Sequence, residues 1–185
     1  KSLVKNKNMI LPIYAYGFSV LKKVAEDIDK DYPELETLIS NMWDTMYNAH
    51  GIGLAAPQIG LSIRLFLVDT KQSMEEEDKD KGIKKVFINA EIIEEAGDDF
   101  SYEEGCLSIP GIKGEVYRPE QVKIKYLDEN FVEHTEVYDG INARVIQHEY
   151  DHIEGILFTD KLSALKKKLL KSKLTQIAKG KVQAD

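Results

Sequence analysis

The chain has 185 residues, a net charge of −7 and one cysteine. That length suits one domain with a substantial core, and a single thiol excludes an internal disulfide and points to a reducing cytoplasm. The acidic balance argues against a nucleic-acid binder, and no apolar run is long enough to cross a bilayer.

Met9-Ile10-Leu11-Pro12-Ile13 has the look of a natural start, so residues 1–8 read as a leader or an expression remnant. After Asp31-Tyr32-Pro33, Leu35, Leu38, Ile39, Met42, Trp43, Met46 and Tyr47 recur at helical spacing, which predicts a helix with a wide core-facing stripe. Pro33 suits its first turn, and Gly51 suits its stop. Gly51–Gln58 (GIGLAAPQ) is rich in small residues and leaves no room for a helix. Arg64–Asp69 (RLFLVD) reads as a buried strand, and Val86–Ile93 as a second. Between them, the charge-dense segment Lys71–Lys85 reads as a mobile surface loop. Val122, Ile124 and Tyr126 alternate with Lys123 and Lys125, the pattern of a half-buried strand. Asp128-Glu129-Asn130 turns it into another strand, Phe131–Val137.

Asp139 is placed to cap a helix from Gly140 to about Ile153, closed by Gly155. A last helix from about Ser163 to Ala178 takes Leu165, Leu169, Leu174 and Ile177 as its apolar stripe. From Lys161 onward the chain is rich in lysine, so the body is more acidic than the total suggests. The layout is α+β: antiparallel or mixed β-sheets around a central helix, with N-terminal and C-terminal helices, in a single domain.

The central helix carries the chemistry. In Gln147-His148-Glu149-Tyr150-Asp151-His152 the two imidazoles lie four positions apart, one helical turn, on the face that also presents Ile141 and Val145. That spacing lets both grip one metal ion, with Glu149 beside it to take a proton from water. A catalytic metal takes three protein ligands and keeps a position open. No histidine follows the motif, and Glu154 and Asp160 lack a supporting pattern. The remaining candidate is Cys106, whose thiolate completes an N2S set. His50 and His134 have no partner motif and read as ordinary surface or core residues.

Three segments, GIGLAAPQ (Gly51–Gln58), EGCLS (Glu104–Ser108) and QHEYDHIEG (Gln147–Gly155), match in order the signature motifs of peptide deformylases. The chain from Met9 onward resembles that family. Ile153 stands where leucine is common, and the Lys71–Lys85 insert varies a loop length; neither touches a ligand or acid–base residue. The resemblance implies a metallo-amidase that removes the formyl group from the N-terminal formyl-methionine of newly synthesised polypeptides, releasing formate. It implies one divalent metal ion, Fe(2+) in the cell, with Zn, Ni or Co possible in purified protein. Cys106, His148 and His152 hold it, and Glu149 serves as general base. The resemblance also gives the backbone N–H of Leu107 and the side-chain amide of Gln58 as donors to the developing oxyanion. The backbones of Ile52, Gly53 and Gly105 are expected to pair with substrate as an added strand.

Ile141 and Val145 are wall candidates for a methionine pocket. Glu104 and Arg144 read either as a pair at its rim or as a plain surface ion pair. The family's link to the ribosome implies a partner for the basic C-terminal helix, through Lys166, Lys167, Lys168, Lys171, Lys173, Lys179 and Lys181. Without a transit peptide, the expected location is the bacterial cytoplasm, with no membrane and no sequence-specific nucleic acid among its partners. Two other readings stay open: a metalloprotease cutting internal peptide bonds, and a module whose metal is structural and takes a fourth protein ligand.

Overall fold

A computed structural model describes residues 9–182. The leader or remnant expected at residues 1–8, and residues 183–185 of the basic tail, lie outside the described residues. Helix α1 spans Leu35–Asn48 and buries Ile39, Met42 and Met46 from the expected stripe. Pro33 stands in the turn ahead of it, not in its first turn, and the chain enters through Glu34 at φ 53°.

At the other end His50, not Gly51, takes the left-handed position, with φ 58°. The His50 N–H donates to the Tyr47 carbonyl at 3.1 Å and the Gly51 N–H to that of Met46 at 2.9 Å, so the helix closes in a Schellman arrangement. A Cβ on Gly51 would lie 2.8 Å from Cδ1 of Leu107, so a side chain there must shift that leucine.

Strands β1 (Gly53–Ala55), β2 (Leu65–Asp69), β3 (Lys84–Cys106), β4 (Ile109–Leu127) and β5 (Glu133–Asp139) form one antiparallel meander in that order. The sole parallel contact among the described residues is an isolated bridge between Glu26 and Ile63. β2 is apolar from Leu65 to Val68 because both its faces are covered. Phe66 and Val68 pack with Ala143, Ile146 and Ile153 of helix α2 (Gly140–Ile153), while Leu65 and Leu67 pack with Ile39, Met42 and Met46 of α1. Each large side chain buried there stabilises the fold by roughly 1.5–3 kcal/mol.

β3 and β4 run far beyond the expected strands, and β5 starts at Glu133, two residues after the expected Phe131. The side chain of Asp128 accepts from the N–H groups of Asn130 and Val132, which prolongs the turn. The charged segment after Thr70 folds into two short 3₁₀ turns, Lys71–Ser73 and Glu76–Lys81, and Asn142 of α2 donates to the Lys81 carbonyl at 2.8 Å. The Asp139 side chain makes no capping bond to α2.

Helix α3 (Ala164–Ala178) starts on Ser163, whose hydroxyl accepts from the Lys166 N–H at 3.2 Å. Its inward stripe differs from the expected one. Leu165 and Leu169 are 69% and 68% exposed, while Leu170, Leu174 and Ile177 pack against Leu21, Ile109 and Phe158. The step from Leu169 to Leu174 breaks the helical period, whereas Leu170, Leu174 and Ile177 keep it. Leu170→Ala should therefore cost about 2–5 kcal/mol in urea unfolding, and Leu165→Ala should stay within about 0.5 kcal/mol. Equal losses would contradict this packing. Among the described residues no helix is long and apolar enough to cross a membrane.

Candidate metal centre

Helical geometry sets His148 and His152 side by side on α2, with ring centroids 5.2 Å apart. The β3–β4 hairpin brings Cys106 to them from the end of β3. Its Sγ lies 3.4 Å from Nε2 of His152, and ligand atoms of all three residues lie within 4.8 Å of one another. Nδ1 of His148 is 2.8 Å from Oε1 of Glu104. A carboxylate there fixes the proton on Nδ1 and leaves the Nε2 lone pair for an ion.

Burial would lower the His148 pKa, but its hydrogen bonds to Cys106 and Glu104 outweigh that and push it up to about 10, so an ion that binds at Nε2 must displace a proton there. His152 is held well below its ordinary value by burial and by His148, and stays neutral as a ligand must. Two nitrogens and one sulfur suit a single borderline-soft divalent cation.

Glu149 follows His148 and is buried, with Oε2 lacking any protein partner. Burial pushes its pKa up to about 7. β1 presses on it: a Cβ on Gly53 would lie 2.5 Å from Glu149 Oε1 and 2.8 Å from its Cδ. Gly53→Ala must displace that carboxylate. We expect turnover to fall roughly 100-fold, the effect of about an ångström of misplacement, with metal content unchanged. Parent turnover with the alanine in place would show that the carboxylate need not hold this position.

Gln58 is buried in a 3₁₀ turn after β1. Its Oε1 accepts from the Ala55 N–H at 2.9 Å, while Nε2 donates to Ser108 Oγ at 3.2 Å and approaches Cys106 Sγ at 3.4 Å. The amide orientation is thereby fixed, with its donor end toward the ligand cluster.

These groups line a cleft of about 780 Å³. Ile52, Gly53 and Gln58 face it from the first motif, and Glu104, Gly105, Cys106 and Leu107 from the second. From α2 come Ile141, Arg144, Val145, His148 and Glu149. Of the proposed ligands, His152 alone is not part of the lining and lies beneath it.

The family model for polypeptide deformylases matches residues 10–168. The chain belongs to this family. It is 59% identical over 184 residues to the peptide deformylase of Christiangramia forsetii, covering 96% of this chain and 94% of that one. Among solved structures, a peptide deformylase from Legionella pneumophila superposes with a TM-score of 0.80 at 39% identity, covering 94% of this chain and 98% of that one. The enzyme from Thermus thermophilus gives 0.82 at 36% identity, covering 93% and 99%. Polypeptide deformylases are metal-dependent hydrolases that take the N-formyl group from nascent peptides, and in this member Cys106, His148 and His152 form a group that could hold a metal ion.

Two features of this deformylase escaped the sequence. Glu104 and Arg144 form no surface pair: their side chains are 4% and 2% exposed, and Arg144 Nη1 donates to Glu104 Oε2 at 2.8 Å. Arg144 also donates to the carbonyls of Val116 and Phe100, and its guanidinium lies 4.5 Å from the Phe100 ring centroid. The same carboxylate accepts from Arg118, a residue given no role above; against desolvation, its bonds to His148 and Arg118 hold it far below the usual carboxylate range. His50, read as ordinary, lines the cleft mouth with Tyr102 and Lys113. His134 fits its plain reading, with Nε2 2.7 Å from Asp128.

Proposed function

We propose that this chain deformylates N-terminal formyl-methionine with one divalent ion held by Cys106, His148 and His152 and with Glu149 as general base and acid. The observation that carries this is the convergence of three ligand atoms within 4.8 Å beside a buried carboxylate that lacks a partner on Oε2. Among the described residues no fourth His, Cys, Asp or Glu joins the group, as a purely structural site would need.

When bound, the ion supplies Lewis acidity and brings the pKa of water near neutrality. Glu149 takes the proton as the water oxygen bonds to the formyl carbon. Negative charge then gathers on the formyl oxygen, toward which Gln58 Nε2 and the Leu107 N–H donate. As the C–N bond breaks, Glu149 returns its proton to the amine. The products are formate and a free N-terminus. β1 is an edge strand, so the backbones of Ile52 and Gly53, with Gly105 opposite, can take the substrate as an added strand. Ile141 and Val145 wall the methionine side chain, with Glu104 and Arg144 forming the buried polar side of that pocket.

Assay of a formyl-methionyl peptide against its acetylated twin tests the reading. Preference for the formyl peptide supports it, and equal cleavage of internal bonds in either peptide would favour a protease. We take Fe(2+) as the cellular metal, with Zn, Ni or Co replacing it in purified protein; metal analysis after anaerobic purification checks this. The exposed lysines of α3 and the tail make ribosomal RNA a fitting partner in a bacterial cytoplasm. Replacing the exposed Lys167, Lys168, Lys171 and Lys173 by glutamine should weaken ribosome binding and flatten its salt dependence. Unchanged binding would count against that partner.

A further inference from the structure

A buried arginine links both elements that supply the metal ligands. Arg118 is 3% exposed and sits on β4 opposite Phe100 of β3. Its Nε and Nη2 donate to Glu104 Oε2 and Oε1 at 2.7 and 3.0 Å, a bidentate grip on one carboxylate. Its Nη1 donates to Asp151 Oδ2 at 2.7 Å. Glu104 lies two residues before Cys106 and bonds Nδ1 of His148 at 2.8 Å; Asp151 is the neighbour of His152. One planar guanidinium is therefore tied to the end of β3 and to the last turn of α2.

Stability alone does not account for this arrangement. Burying an arginine with two carboxylates incurs a desolvation penalty that well-packed apolar side chains avoid, often at no loss of stability. The other cations reach only parts of the cluster. Arg144 bonds Glu104 on Oε2 alone, and Lys161 stands 3.8 Å from Asp151. Only the fork of Arg118 holds both carboxylates at once, and an ammonium in its place has no such planar spread.

We propose that Arg118 is a positioning residue of the metal centre: it orients His148 through Glu104, and through Asp151 it ties the last turn of α2, which carries His152, to the end of β3, which carries Cys106. The proposal rests on Cys106, His148 and His152 holding the ion. Supporting residues of this kind change metal affinity by roughly 10–100-fold.

The test uses Co2+ as the probe, with affinity read by chelator competition and ligand geometry read from the visible spectrum of the Co2+-loaded full chain. Arg118→Met and Arg118→Lys should each weaken Co2+ binding roughly 10–100-fold and shift the spectrum. Lysine should not rescue, because it restores charge without the fork. Parent affinity and parent spectrum in either folded variant would overturn the proposal, whatever its melting temperature. Asp151→Ala removes the oxygen that Nη1 grips and leaves the fork on Glu104, so it carries the test should the Arg118 variants fail to fold. A roughly tenfold loss with a shifted spectrum supports the proposal, and the parent values overturn it. Cys106→Ser runs alongside: if it binds Co2+ like the parent, the ligand assignment itself falls. If it loses Co2+ while the Arg118 variants do not, only the positioning role falls.

Discussion

Replacing Cys106 by serine is expected to empty the metal centre. The oxygen of serine is shorter-reaching than sulfur and stays protonated at neutral pH, so it offers neither the charge nor the softness of a thiolate. His148 and His152 remain, but two imidazoles on one helix do not make the three-ligand set that a catalytic ion takes. The loss should exceed the roughly 10–100-fold drop that removal of a supporting residue causes, and formyl-peptide turnover should fall with it. A second readout separates this from unfolding. Ligand that binds only the folded state raises stability, so added metal should lift the melting temperature of the parent and leave that of the variant unmoved. Stoichiometric metal and parent turnover in Cys106→Ser would remove the sulfur from the ligand set.

What the sequence revealed follows from how local each signal is. The two histidines and Glu149 were legible because one helix turn brings them together without help from the rest of the chain. α1 and β2 were legible for the same reason: a 3.6 period in one, an unbroken apolar run in the other. The outer halves of β3 and β4 were not. Glu94–Glu104 is dominated by charged and small residues with no alternating pattern, and its strand character comes from pairing with β4 across the hairpin. Missing that hairpin hid the pairing of Glu104 with Arg118, since only the register that sets Phe100 opposite Arg118 brings them together. The α3 stripe was misphased for a different reason. Leucines at 165, 169, 170 and 174 offer two helical faces, and the docking of Leu170 against Phe158 and Leu21 decides between them. The left-handed His50 could not be foreseen beside a glycine that fits that position better by backbone alone.

Glu149 gives the second large effect. Removing its carboxylate should lower kcat by about 10²–10⁴-fold, the range for a positioned proton-transfer group, while metal and fold stay. Glu149→Gln is the sharper variant, because it keeps the volume against Gly53 and changes only the ability to accept a proton. Burial, the largest influence on it, pushes the Glu149 carboxyl up to about 7, toward its neutral form. A divalent cation next to it favours the ionised form, so the loaded enzyme holds the carboxylate that the first proton transfer needs. The neutral acid it becomes is stabilised by the same buried surroundings, which suits the return of that proton to the leaving amine. Both halves of the reaction therefore draw on one buried group, and KM should change far less than kcat, since Glu149 acts in the transition state and not in holding the peptide strand. Near-parent kcat in metal-loaded Glu149→Gln would mean that another group moves the proton.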